Sequence, residues 1–464
     1  MYRLLLKSPQ PPCVLRFINQ ENVQKERETL STAQAQWVKD HHFKTDWGSV
    51  CEIPEPDGQC TSVWIGCDKQ PADPRCWIQL FSKLARSLTP RCYALPVDFP
   101  AQREALLGWG LGSYQFNRYQ QSKASEHPTL QHSDDAQLKA VEVELDAIFL
   151  ARDLINTPAN HLGPQDLADQ VQNIAEKHGA TCSLIAGETL LSQNYPAIHA
   201  VGKGSERAPL LIDLRWGRPD APKLTLVGKG VVFDSGGLDI KSAAGMALMK
   251  KDMGGAAVSI ALARYIMEVG LDVRLRLLVP AVENAVSGRA YRPGDVLATR
   301  KGLSVEIGNT DAEGRVILCD ALTEAASESP DLIIDFATLT GACRVALGPD
   351  LPGFWTPDDS LAEALNRASA EVSDPVWRMP LWAPYRSYLK SAIADINNNS
   401  NSPHGGAITA ALYLHEFVKP FSAWIHIDMF GWNVMDQPEN AQMAEATSLR
   451  AVFRMLQNRY PSAK

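Results

Sequence analysis

Residues 223–282 read "KLTLVGKGVVFDSGGLDIKSAAGMALMKKDMGGAAVSIALARYIMEVGLDVRLRLLVPAV". Two apolar runs, "KLTLVGKGVVF" (223–233) and "VRLRLLVPAV" (273–282), flank a long segment of helical character, "GGAAVSIALARYIMEVG" (254–270). Near-continuous apolar runs separated by a helix are the pattern of strands buried on both faces. The same kind of run recurs as "APLLIDLRW" (208–216) and "PDLIIDFATLT" (330–340). The prediction is an α/β chain whose larger part is a parallel or mixed sheet covered by helices.

Working outward, 464 residues exceed one ordinary core, so two domains are expected. Residues 1–125 alternate short apolar runs ("SVWIGC", "CYALPV") with helical stretches ("WIQLFSKLARSL"), which predicts a small α/β domain. The polar stretch "QSKASEHPTLQHSDDAQ" (121–137) lacks apolar periodicity and places a linker at 126–140. Residues 141–464 form the larger domain, entered by the strong helix pattern "LKAVEVELDAIFLARDLINTP" (138–158). A hydrophobic fraction of 45%, a charged fraction of 21% and a net charge of −8 describe a globular chain and argue against an electrostatic nucleic-acid binder. The start "MYRLLLKSPQPPC" is too short in its apolar run for a signal peptide, and no later run reaches membrane-spanning length, so a cytoplasmic protein without membrane contact is expected. Nine cysteines without a CxxC pair suggest incidental thiols instead of a disulfide or zinc framework. Histidines are few and form no HExxH motif, so a metal site here would be built mainly from oxygen ligands.

The charges inside the apolar, Gly-rich sequence matter most. Lys229 and Asp234 follow "LTLV", then come "SGG", Lys241 and the "MKKD" that ends in Asp252. "GKGVVFDSGG" matches neither phosphate-loop pattern. A second cluster lies in "GNTDAEGRVILCD" (308–320), where Asp311, Glu313 and Arg315 alternate with small residues before a helical run. Taken alone, this stretch reads as an N-cap with acids in the first helical turn. Both clusters lie just after strands or just before helices, where open α/β sheets bind ligands. Asp234, Asp252, Asp311 and Glu313 would repel one another if brought together. Two divalent cations would neutralise them, and paired metals are a recurring hydrolytic device. Residue chemistry thus points to a two-metal hydrolase, with peptide and phosphate-ester substrates both open.

"VGKGVVFDSGGLDIK", "MKKDMGGAA", "NTDAEGR" and "ATLTGA", in this order, resemble the leucyl aminopeptidases of the M17 cytosol aminopeptidase family. The resemblance extends over roughly 140–464 and includes "ARDLINTPANHLGP" and "GGAITAALYLHEFV". It implies a smaller N-terminal α/β domain, a catalytic domain with a twisted mixed sheet between helices, and a homohexamer. It implies that Lys229, Asp234, Asp252 and Glu313 hold one divalent metal and that Asp234, Asp311 and Glu313 hold another. The metals would be Zn²⁺ or Mn²⁺, with Mg²⁺ as an alternative. Lys241 would polarise the scissile carbonyl, and Arg315 would hold a bicarbonate ion as base for a bridging water. Met249, Thr338, Leu339 and Gly341 match substrate-pocket positions. The implied substrates are peptides with a free N-terminus.

Two departures stand out. Ser242 replaces the family's usual proline, and Phe430 in "WIHIDMFGWN" takes the place of a small residue. A pocket reshaped by Phe430 would suit a narrow dipeptidase, for example one acting on Cys-Gly, as an alternative to a general aminopeptidase. A DNA-binding role is a third alternative, disfavoured by the acidic balance.

Overall fold

The computed structural model describes residues 11–121 and 127–461, so the segment 1–10 read above for a signal peptide lies outside the described residues, as do 122–126 of the polar stretch. The chain forms two compact units, one of residues up to 146 with 435–441, the other of 147–434 with 442 onward.

The smaller unit is built on Cys13–Ile18 (β1), Val50–Pro54 (β2), Cys60–Gly66 (β3), Cys92–Ala94 (β4) and Thr129–Gln131 (β5), in the order β2-β3-β1-β4-β5. β1 is parallel to β3 and β4, β4 to β5, and only β2 runs antiparallel to its neighbour. Helices Cys76–Ser87 and Gln102–Gly112 pack on one another, burying Phe81, Leu84, Leu106 and Trp109. Within 126–140, expected to be a linker, Thr129–Gln131 instead forms an edge strand and the helix Asp135–Asn156 begins. Leu130 is the single buried side chain of that strand, too little apolar sequence to be read as one.

The larger unit contains Thr181–Ala186 (β6), Leu210–Trp216 (β7), Lys223–Gly228 (β8), Gly230–Asp234 (β9), Arg274–Asn284 (β10), Val296–Leu297 (β11), Val305–Glu306 (β12), Leu332–Ala337 (β13), Gly353–Trp355 (β14), Trp377–Arg378 (β15), Ile396–Asn397 (β16) and Trp424–Asp428 (β17). Its main sheet runs β15-β14-β17-β13-β8-β10-β7-β6, with β9 continuing beside β10, and β11, β12 and β16 form a small separate sheet. The centre (β17, β13, β8, β10) is parallel; β14 joins β17 antiparallel and carries β15 parallel to itself, and at the other end β7 and β6 pair antiparallel. The sheet is therefore mixed and flanked by helices. Every residue of β13 is buried, as a strand covered on both faces requires. Inside it, Asp335 accepts hydrogen bonds from the Trp424 indole (2.7 Å) and meets His426 Nδ1 (2.6 Å), both on β17. Paired this way, a buried polar group ties the two strands whose ends carry Thr338 and Asp428.

The helix Gly254–Val269 packs on β8 and β13. A Cβ on Gly255 would stand 2.0 Å from the Phe336 carbonyl oxygen, so only glycine permits this approach. β8 pairs with both β10 and β13, but β9 stays with β10 alone. At Lys229, between them, the chain parts from β13 and opens a crevice at the carboxyl ends of the parallel strands. No helix among the described residues is long and apolar enough to cross a membrane.

Candidate active site

The crevice widens into a cavity of about 640 Å³ lined by Lys229, Asp234, Lys241, Met249, Asp252, Asp311, Glu313, Thr338, Leu339 and Gly341, among others. Ten of the eleven site residues singled out from sequence thus line one cavity. Arg315 is the exception: it is buried behind the wall, with Nη1 donating to the Asn398 carbonyl (2.8 Å) and Nε making no hydrogen bond.

Lys229 leaves the sheet at the break between β8 and β9. Its ammonium meets Asp252 Oδ2 (2.8 Å) and Glu313 Oε1 (2.9 Å) and donates to the Thr338 carbonyl (2.9 Å). Burial alone would lower its pKa, but the Asp252 and Glu313 carboxylates outweigh that and raise it. Gly314 has a local reason to be glycine here, because a Cβ would lie 2.5 Å from Lys229 Cε. Asp234, at the end of β9, accepts from Gly236 N (2.9 Å) and Asn284 Nδ2 (2.8 Å) through Oδ1. Its Oδ2 pairs with Lys241 (2.8 Å), which also pairs with Asp311. Asp252 sits in the 3-10 turn Met249–Met253, and its Oδ1 accepts from Thr338 Oγ1 (2.9 Å).

The helix after "GNTDA" begins at Glu313, with Ala312 at the N-cap and no side-chain cap. This corrects the reading in which Asn309 to Asp311 cap the helix. Asn309 Oδ1 instead accepts from Asp311 N (2.8 Å), a local turn that aims both acids at the cavity. Glu313 opens the first helical turn, where the helix dipole favours an anion.

Four carboxylates here face two ammonium groups. Burial, and then the charge of Asp234, push Asp311 up to about 6 and Glu313 well above the usual carboxylate range. Asp252 Oδ2 and Asp311 Oδ1 are met only by the Lys229 and Lys241 ammonium groups, and Glu313 Oε2 is buried with no partner among the described residues. Oxygens of Asp234, Asp252 and Glu313 lie within 4.8 Å of one another, and all three residues are buried. Surplus negative charge, the unpartnered Glu313 Oε2 and the closeness of the carboxylates fit a divalent cation.

Several contributors carry no sequence signal. Asn398 accepts from Gly308 N (2.8 Å) and Asn309 N and donates to Asn309 O (2.8 Å), clamping the acidic loop; it comes from the polar run "INNNSNS". Tyr291 Oη and Asn284 Nδ2 both donate to the Thr310 carbonyl. Asp428 accepts from Leu339 N, Thr340 N and Thr340 Oγ1, which fixes the turn into the helix Gly341–Leu347. Phe430 is half-buried and lines the cavity, with Lys251 Nζ 4.5 Å and Arg344 Cζ 4.7 Å from its ring centre. Burial brings the Lys251 ammonium down to about 8 against the pull of Asp252. Met249 is half-buried on the same wall, so it is a lining residue and not a core methionine.

Residues 149–453 match the catalytic domain of the cytosol aminopeptidase family, and residues 13–130 match the N-terminal domain of M17 aminopeptidases. A probable cytosol aminopeptidase of Acaryochloris marina is 44% identical over 299 residues, covering 64% of this chain and 60% of that protein, so the match spans about three-fifths of the relative. The crystal structure of a cytosol aminopeptidase from Coxiella burnetii is similar with a TM-score of 0.92 at 48% identity, over 98% of this chain and 99% of that one. The bottromycin maturation enzyme BotP, solved in complex with Mn, is similar with a TM-score of 0.86 at 31% identity, over 96% and 98% of the two chains.

Proposed function

The chain belongs to the M17 cytosol aminopeptidase family, a family of hydrolases, and from that premise we propose that it is a metal-dependent aminopeptidase removing the N-terminal residue of peptides. The observation that supports this reading best is the buried set Asp234, Asp252 and Glu313, with Asp311 beside it, on the wall of one cavity.

Lys229, Asp234, Asp252 and Glu313 would hold one divalent cation and Asp234, Asp311 and Glu313 a second, with Mn²⁺ or Zn²⁺ as candidates and Mg²⁺ as an alternative. The relative solved with Mn and the oxygen-rich donor set support this choice. Bound there, such cations supply Lewis acidity and a water activated for attack. Lys229 would serve as a ligand in its neutral form, once its carboxylate partners share their charge with a cation. Asp252 faces the α-amine of the substrate, which confines cleavage to the N-terminal residue. Lys241 donates to the oxygen on which negative charge develops, as a pre-placed oxyanion donor does. Its present partners, Asp234 and Asp311, are themselves proposed ligands, so with both engaged by cations the Lys241 ammonium would be free to meet the substrate. Arg315 would hold a bicarbonate ion; its unpartnered, buried Nε is the donor that supports this role. Met249, Thr338, Leu339 and Gly341 shape the pocket.

A homohexamer in the cytoplasm completes the reading. Exposed Trp377, Trp382 and Ile393 support burial in an assembly, and nine free cysteines support a reducing compartment.

The test compares free and N-acetylated aminoacyl-p-nitroanilides with Mn²⁺ or Zn²⁺ present. Cleavage is expected of the free substrates only, with none after chelation. Equal cleavage of both would contradict the free-amine mechanism.

A further inference from the structure

We propose that the cavity selects an acidic side chain on the substrate's N-terminal residue, through Lys251 and Arg344 set around Phe430. This rests on the aminopeptidase reading and names its substrate class.

Lys251 is 4% exposed and lines the cavity. Among the described residues its ammonium forms no hydrogen bond and no ion pair, nor does the Arg344 guanidinium; both instead lie over the Phe430 ring. Lys229 and Lys241, by contrast, each hold two carboxylates. Asp428 is in the neighbourhood, but it is occupied by Leu339 N, Thr340 N and Thr340 Oγ1. A desolvated cation without an anion is costly, and an aromatic face offsets only part of the cost. Lys251, buried, and Arg344, exposed to solvent on the lining of the same cavity, form a preformed receptor for a carboxylate. A neutral side chain would displace their water without pairing them, and a basic one would be repelled.

Position selects which carboxylate. Lys251 directly precedes Asp252, the residue proposed to face the α-amine. The cations therefore stand on the side of the N-terminal residue. Phe430, where the family resemblance implies a small residue, narrows that side and gives the acidic side chain's methylenes an apolar surface. Family membership carries no such preference; it follows from Lys251, Arg344 and Phe430 of this chain.

The experiment measures kcat/KM of the Mn²⁺-loaded enzyme on the p-nitroanilides of Glu, Gln, Asp, Leu and Lys. These lack a C-terminal carboxylate, so any acidic preference comes from the side chain. Glu is expected to exceed its neutral isostere Gln by at least about tenfold, the scale of a charge-assisted contact, with Lys lowest. The Glu/Gln ratio should fall toward one in Lys251→Met and drop partway in Arg344→Met. Arg344 is exposed on the helix Gly341–Leu347, so its variant keeps the test valid should Lys251→Met fail to fold. A wild-type ratio near one, or a ratio unchanged by both variants, would overturn the proposal while leaving the peptidase reading intact. Preference for dipeptides over their C-terminal amides without a Glu/Gln difference would also overturn it, by assigning the cations to the leaving group. No turnover of any substrate would overturn the underlying reading as well.

Discussion

Glu313→Ala is expected to lose bound metal and peptidase turnover together. Glu313 is 1% exposed at the first position of its helix. One of its oxygens pairs with Lys229, while the other is buried without a hydrogen bond. It is one of the two residues proposed to touch both cations, so its removal weakens both positions at once. Even partners outside the immediate ligand set of a metal are worth roughly 10–100-fold in affinity or activity, so loss of a shared ligand should cost at least about a hundredfold in kcat/KM. Metal content after dialysis against trace Mn²⁺, measured with the rate, checks this. Glu313→Gln, which keeps the shape and removes the charge, should behave similarly. Full metal content with full activity in either variant would remove Glu313 from the site.

Lys241→Ala separates metal binding from chemistry. The Lys241 ammonium lies between Asp234 and Asp311, and its side chain is 16% exposed, open to the cavity. Its pKa is raised: burial would lower it, but the adjoining Asp234 and then Asp311 outweigh that. Alanine removes a cation that competes for both carboxylates, so metal affinity should be retained or rise. Loss of a single oxyanion donor costs on the order of 10²–10³ in kcat, about 2.7–4 kcal/mol of transition-state stabilisation. The expected result is therefore full metal content, a KM close to wild type and a collapsed kcat. Retained turnover would show that another group stabilises the oxyanion.

How much of this was legible in the sequence depended on whether the signal was local. β8, β10 and β13 were readable because a strand buried on both faces must be apolar along its length. Lys229, Asp234 and Asp252 stood out because charges interrupting apolar and Gly-rich sequence need a reason. The edge strand β5 and the two-residue strands β11, β12 and β16 were not readable, since so few residues impose no periodicity. The start of the helix at Glu313 was missed because Asn309 spends its side chain on a turn that precedes the helix. Asn398 and Asp428 act through backbone groups distant in sequence, and such bonds leave no local pattern. Lys251 and Arg344 became meaningful only when folding placed both over Phe430.

The central claim is that Asp234, Asp252, Asp311 and Glu313 hold two divalent cations. Anomalous diffraction from crystals equilibrated with Mn²⁺ tests it most directly. Two anomalous peaks per chain are expected, both within the cavity and both contacted by Asp234 and Glu313. A single peak there would contradict the two-metal assignment, and peaks confined to other parts of the chain would contradict the site itself.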